Sequence, residues 1–520
     1  MSLLSKCLLN SAACIIAASL LCATAPAQAD KPIFDTLVSA LPPAPHQDLF
    51  GSRMQRTMSL LADSTKDRRY PVTILIYGQS IERQLRESKM EAALKQKFPN
   101  ADITFLNRSI SGFSASQLVR SMVNDVYPLD PDLIIFHDMG ASLPEFERMI
   151  QNIRRYTTAD ILMWTNTFRG DEDVNSLPDA VADTPVIRHL AQKYDAEFVD
   201  VHEGMRAYLE ARNLPPSSLT VADLGHMNPQ GLDVLAGILL RHFQVNTLVP
   251  NNWMQTVRTY EAKRLPDEGA ADGVVFTGKP WRIAARSAIG QSPTSALKLK
   301  FNGNHVDCIL GTVNDLKPGT AKVLIDGKTP STMNELWAFT IPSMVFGTDW
   351  QPAVRRVTHR VPLVPETWKL VVSNINDDAS HFTFKVYGSK TGYDGTGEFN
   401  GAKYKYGKFG DLLDYTGSEP YPDLFVSKSG RVVIDYRDFK LSWARTNSGK
   451  PAPPDFQDTW EAIPLFTDTL HAAPEGQPGQ LHLLTLAKGL SNGPHTLEIV
   501  PNGDGAISIE TIIVHEPPLK

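Results

Sequence analysis

Between Pro71 and Phe243 the chain alternates short, almost wholly apolar runs with longer stretches in which apolar residues recur every three or four positions. The runs Val72 to Tyr77, Asp102 to Leu106, Leu133 to Phe136, Ile161 to Thr165 and Glu197 to Val201 show little polar alternation, as expected of strands covered on both faces. Between them Glu82 to Lys97, Ala115 to Val126, Pro144 to Tyr156, Val181 to Tyr194 and Glu203 to Asn213 read as amphipathic helices. A last helix begins at Pro229, a residue well suited to the first helical position, and continues through Leu232, Leu235, Ala236 and Leu239. Such alternation predicts an α/β fold with a doubly wound parallel sheet, and a ligand site beyond the carboxyl ends of its strands.

After about Val249 the pattern changes. Short segments rich in β-branched and aromatic residues, such as Leu297 to Phe301, Lys322 to Ile325, Trp368 to Val372, Phe382 to Tyr387, Val432 to Tyr436, His495 to Ile499 and Ile507 to His515, are separated by Asp-Gly, Asn-Gly and Pro-Asn-Gly turns. This half reads as a jelly-roll-like β-sandwich region. The division expected is an N-terminal extension over 30–70, the α/β unit over 71–248, a sandwich over 249–395, and a second sandwich or a continuation of the first over 396–520.

The first 29 residues stand apart from all of these. Lys6 is followed by an apolar stretch around Ile15 to Leu21 and by Ala27-Gln28-Ala29, the layout of a cleavable secretory signal peptide, and the apolar run is too short to span a bilayer. The mature protein is therefore expected to be periplasmic or secreted, without a membrane anchor. Cys7, Cys14 and Cys22 lie within this leader, so Cys308 alone survives its removal and no internal disulfide is expected. Loss of Lys6 takes the formal charge from −6 to −7, which gives no electrostatic reason to bind nucleic acid or anionic lipid. With 42% hydrophobic and 21% charged residues in 520, the composition is that of a folded chain of two or three domains.

Candidate chemistry sits at two places in the α/β unit. The first strand runs into Gly78-Gln79-Ser80 and then at once into a helical pattern, which puts a hydroxyl beside backbone N–H groups at a strand's carboxyl end. A serine there more often caps a helix. Far downstream, Asp223-Leu-Gly-His226 leads into the last helix of the same unit, and an Asp and a His three apart in a loop can converge, the carboxylate holding the imidazole while its other nitrogen faces a hydroxyl. Asp223 or Asn228 could instead cap that helix. Taken together, a serine that needs a base and a base that needs an orienting acid favour nucleophilic catalysis.

These residues resemble the SGNH/GDSL hydrolase superfamily. Gly78-Gln79-Ser80 is similar to its first block, with Gln in place of Asp as in some carbohydrate esterases; Asn107-Arg-Ser-Ile-Ser-Gly112 is similar to the second, and Asp223-Leu-Gly-His226 to the fifth. The resemblance implies a flavodoxin-like three-layer fold, Ser80, His226 and Asp223 as nucleophile, base and orienting acid, and Ser80 and Gly112 N–H groups as the oxyanion hole. Gln79, Asn107 and His137 are expected to line the site. The third block, ordinarily Gly-x-Asn-Asp, is replaced by His137-Asp138-Met-Gly-Ala-Ser142, so a third oxyanion donor is missing and His137 is the candidate substitute.

The resulting expectation is an exported serine esterase that removes acetyl or other small acyl groups from carbohydrate, with an acylated carbohydrate as its partner. Trp337, Trp350 and Trp368 are candidates to stack on sugar rings, although core packing is the commoner role of each. A lipase, thioesterase or arylesterase on the same fold and a decayed carbohydrate-binding protein are the alternatives. His189 and His202 lack ligand spacing and read as surface or packing residues. No metal-ligand motif occurs, so no metal or other cofactor is expected.

Overall fold

A computed structural model of the chain describes residues 31–137, 143–173, 183–246, 248, 256–262, 273–284, 286–313, 315–344, 354–376, 380–400, 424–439, 456–474 and 478–520. The expected leader, Asp138 and Trp350 lie outside them.

The apolar runs form the strands β1 (Pro71–Tyr77), β2 (Asp102–Asn107), β3 (Leu133–Phe136), β4 (Asp160–Trp164) and β5 (Glu197–Val199). They pair in parallel in the order β2-β1-β3-β4-β5, the doubly wound topology expected. The helices are α1 (Ile33–Ser39), α2 (Gln55–Ala62), α3 (Ser80–Gln84), α4 (Met90–Lys97), α5 (Ala115–Asp125), α6 (Leu143–Tyr156), α7 (Thr184–Lys193), α8 (Val201–Arg212) and α9 (Pro229–Leu240). Successive residues of a strand feed opposite layers. Ile74 and Ile76 join a core with Met205, Tyr208 and Leu209 of α8 and Leu235 and Leu239 of α9, whereas Leu75 and Tyr77 join one with Leu118, Met122, Phe146 and Ile150 of α5 and α6.

Over 31–70 the chain is more than an extension. Phe34 and Leu37 of α1 and Met58 and Leu61 of α2 belong to the first of those cores. The Thr57 N–H donates to Asp160 at 2.8 Å and the Gly51 N–H to Glu197 at 2.7 Å, so this segment completes one helical layer of the sheet. Its short helices, separated by irregular chain, offered too little periodicity to show this.

The β-rich half is nested, and the expected division at 395/396 is replaced. A nine-stranded sheet is built around Ala296–Leu310, His482–Pro501 and Ile507–His515, and it also takes in Val257–Glu261. A six-stranded sheet, from Trp337–Phe339 to Gln457–Pro464, is inserted in sequence between its strands. Residues far apart in sequence supply neighbouring strands, a pairing that local patterning does not encode. Cys308 is buried among apolar residues of the larger sheet, and burial pushes its thiol up. Trp337 and Trp368 are buried in the core of the inserted unit.

The inserted unit grips α5. The buried Arg120 guanidinium pairs with Asp438 through both carboxylate oxygens. Asn124 donates to the Phe339 and Val357 carbonyls and accepts from the Val357 N–H, each at 3.0 Å.

Candidate active site

The site is assembled from three loops at the carboxyl ends of β1, β2 and the segment before α9. At the end of β1, Gly78 has φ +155° and a Cβ there would lie 2.5 Å from Glu82 Cδ, so glycine is required by close approach. Gln79 caps α3, its side chain accepting from the Glu82 N–H while Glu82 Oε2 accepts from the Gln79 N–H at 2.8 Å. Ser80 is the first residue of α3.

The second loop is laced to the first. The Arg108 N–H donates to Ile76 O and the Ile110 N–H to Gly78 O, both at 2.9 Å. Asn107 Nδ2 donates to the Glu82 carbonyl at 2.7 Å, and its Oδ1 accepts from the Ser109 N–H at 3.1 Å. A turn closed by the Phe113 N–H on Ile110 O then carries Gly112 at φ +78°, a left-handed position that favours glycine.

The third loop brings the downstream pair to the serine. His226 Nε2 lies 2.8 Å from Ser80 Oγ, and His226 Nδ1 lies 2.6 Å from Asp223 Oδ2. Leu224 between them takes a left-handed φ of +58°, a conformation that costs about 1–2 kcal/mol in a non-glycine residue and makes the turn tight. Asp223 Oδ1 accepts from the Gly225 and His226 N–H groups. The His226 N–H and then the Gly225 N–H, followed by the His226 side chain, hold the Asp223 carboxyl well below the usual carboxylate range. Asn228, not Asp223, caps α9 through the Gly231 N–H at 2.9 Å. With Asp223 ionised, the His226 tautomer carries its proton on Nδ1 and leaves Nε2 to accept from Ser80.

Of the residues expected to line the site, His137 is placed differently. It is fully buried, stacked on Trp164 at 4.3 Å, with Nδ1 2.6 Å from Glu82 Oε1 and Nε2 2.8 Å from Asn166 Oδ1. Both ring nitrogens are occupied, which removes it as a direct oxyanion donor. Gln79 and Asn107 also have their side chains engaged in holding the loops. His202 is buried against Phe168 and bonded to Glu172 Oε2 at 2.7 Å, and His189 is exposed.

Sequence reasoning missed Gln84. Its side-chain amide donates to Met227 O and accepts from Met227 N, both at 3.0 Å, tying α3 to the residue that follows His226. Ser80 and Gln84, four apart, share one face of α3, and that i, i+4 spacing was the available signal. Glu82 was missed too, although a Glu at the third helical position is the mark of a capping box.

Among the described residues, His305, Asp307 and His515 bring metal-ligand atoms within 4.8 Å of one another. They belong to the nine-stranded sheet and meet Asp130 and Thr158, which precede β3 and β4, the opposite end of the parallel sheet from Ser80. The two imidazoles stack at 4.3 Å, each with its Nε2 on a different oxygen of Asp307, at 2.7 and 3.2 Å. Lys488 Nζ lies 3.1 Å from Asp130. Two carboxylates, one ammonium and the imidazolium of His305, whose two nitrogens both face carboxylates, balance in charge, so hydrogen bonding alone accounts for the group.

No helix among the described residues is long and apolar enough to cross a membrane. No family model and no curated protein matches the chain. Among solved structures it is similar to a two-domain esterase (CEX) active on acetylated mannans, co-crystallised with mannopentaose, at 12% identity over 89% of this chain and 94% of that one, with a TM-score of 0.31. It is also similar to the acetyl xylan esterase AlAXEase, at 20% identity over 32% of this chain and 98% of that one, TM-score 0.29, and to an Axe2 acetyl-xylooligosaccharide esterase from Geobacillus stearmophilus, at 17% identity over 36% and 100%, TM-score 0.30.

Proposed function

We propose that the protein is an exported serine esterase that removes acetyl or other small acyl groups from carbohydrate. The observation that carries this reading is the continuous hydrogen-bonded series Ser80 Oγ, His226 Nε2, His226 Nδ1, Asp223 Oδ2 at 2.8 and 2.6 Å. In it Ser80 Oγ attacks the ester carbonyl as its proton passes to His226 Nε2, and Asp223 stabilises the imidazolium. The Ser80 and Gly112 N–H groups receive the oxyanion. Collapse expels the sugar hydroxyl, protonated by His226, and leaves an acyl group on Ser80. Water activated by the same imidazole then releases the acid and restores the serine.

The substrate class draws on exposure. Among the described residues His226 is 39% and Asp223 53% exposed, which suits an ester borne on a bulky polymer. The sequence pattern of the leader and the β-rich half, an architecture often used to hold sugars, lend support by analogy.

Acetate release from acetylated mannan and xylan by the wild type and by Ser80→Ala tests the assignment; equal release by both would sink it. Faster cleavage of long-chain than of acetyl esters would move the protein to the lipase class. An exported protein beginning at Asp30 by N-terminal sequencing would support the secretory leader, and an intact N-terminus would reject it.

A further inference from the structure

We propose that Glu82 and His137, a buried carboxylate–imidazole pair, are positioning residues for the oxyanion hole. The inference rests on the esterase reading of Ser80. Both side chains are fully buried, yet neither belongs to the Ser80, His226, Asp223 series. Taking a carboxylate and an imidazole out of water is costly, and an apolar pair of similar volume would serve stability as well. Their geometry supplies a different reason for their presence.

The Ser80 N–H lies in the peptide plane joining Gln79 to Ser80, so its direction is set by the backbone angles of Gln79. Glu82 fixes those angles from both sides. Its Oε2 accepts from the Gln79 N–H at 2.8 Å, and its own N–H is accepted by the Gln79 side chain. The carboxylate is in turn fixed by His137 Nδ1 at 2.6 Å on Oε1, and His137 by Asn166 Oδ1 at 2.8 Å and by the face of Trp164. The glycine before Gln79 admits this arrangement, because a Cβ at Gly78 would collide with Glu82 Cγ at 2.6 Å and Cδ at 2.5 Å. The Glu82 carbonyl is bonded to Asn107, which also orders Ser109 in the loop that leads to Gly112. Glu82 thus touches the supports of both proposed oxyanion donors, while the substrate touches neither Glu82 nor His137.

Loss of an aligned oxyanion donor lowers turnover by about 10²-fold or more without weakening ground-state binding. Glu82→Ala is accordingly expected to lower kcat by about 30- to 100-fold with KM within about twofold, and to weaken a tetrahedral adduct of methylboronic acid on Ser80 by a similar factor. Glu82→Gln keeps an oxygen for the Gln79 N–H and an amide N–H for His137, and is expected to regain kcat to within about fivefold of wild type. His137→Gln, whose amide does not reach Glu82 and Asn166 together, is expected to lose about tenfold in kcat at constant KM, and it decides the matter if Glu82→Ala does not fold. A folded Glu82→Ala or His137→Gln with kcat within about threefold of wild type overturns the proposal, as does a Glu82→Gln no better than Glu82→Ala. Fluorophosphonate labelling separates the two levels. If wild-type Ser80 takes no adduct, the esterase reading itself fails; if wild type is labelled and active and the variants match it, only the positioning role fails.

Discussion

Two of the groups in which histidine meets aspartate among the described residues stand at opposite ends of one parallel sheet, and they differ in construction. At the carboxyl end, one imidazole and one carboxylate stand half-exposed, with the second ring nitrogen on a serine hydroxyl. At the amino end, His305, His515 and Asp307 are buried with Lys488 and a partly buried Asp130, and every charge has a counter-charge. Burial raises both carboxylates there but is outweighed. His305 and His515 hold Asp307 well below the usual carboxylate range, and His305 with Lys488 lowers Asp130 to about 2. The residue types are the same; what separates the two groups is whether one imidazole nitrogen is left facing a serine hydroxyl and solvent.

The comparison breaks most sharply at His226. His226→Ala is expected to lower esterase turnover by about 10⁴- to 10⁶-fold, or about 5–8 kcal/mol of transition-state stabilisation, with the melting temperature unchanged, as kinetics and calorimetry on one preparation will show. Asp307→Ala should do the reverse. Removing the carboxylate that both buried imidazoles meet costs about 3–5 kcal/mol in denaturant unfolding, while the fraction still folded takes a phosphonate on Ser80 at the wild-type rate.

The pH dependence of stability sharpens the contrast further, with a smaller effect. For His305, burial would lower the pKa but Asp130 and Asp307 outweigh it, so its folded value is raised; the stability this adds is present below 6.5 and lost as pH rises through the folded value. For His515, burial and then the neighbouring His305 lower the value, so its contribution is present above 6.5 and lost as pH falls through the folded value. Stability should therefore fall on both sides of about 6.5, and His515→Asn should blunt the acid side, measured by thermal melts across about pH 5–8. A flat profile in the wild type would contradict the opposite shifts of the two imidazoles. The smallest effect belongs to Gln84→Ala, which frees the His226 loop from α3 and should cost about tenfold in kcat, or about 1–2 kcal/mol, with little change in melting temperature.

How much of this was legible in the sequence follows from how local each feature is. The strands β1 to β5 and most of their helices announced themselves because a buried parallel strand is a continuous apolar run and an amphipathic helix has a fixed period, although Glu82 to Lys97, expected as one helix, is broken between α3 and α4. Ser80, Asp223 and His226 were legible because each sits at a strand end or helix start that short motifs mark. His137 was legible as a departure but not in its role, since Glu82, 55 positions earlier, has to be brought beside it before its nitrogens are seen to be used. Gln84 and Met227 are 143 apart, and no pattern within either segment links them. The nesting of one sheet within the strands of another was hidden for the same reason, as were α1 and α2, whose partners are strands and helices met later in the chain.

That nesting has a consequence for how the molecule comes into being. The nine-stranded sheet joins Arg258 to Glu516, 258 positions apart, and its strand Ile507–His515 pairs with both Val257–Glu261 and Ala296–Leu310. Contacts of such separation are slow to form, because the loop they close must be ordered before they reward it. The α/β unit, with its sequence-near strands, is able to form early, while the unpaired edges of Ala296–Leu310 wait for a partner made last. In that interval the exposed edges are open to the wrong neighbour, and the yield of folded protein will depend on how quickly the final strand arrives.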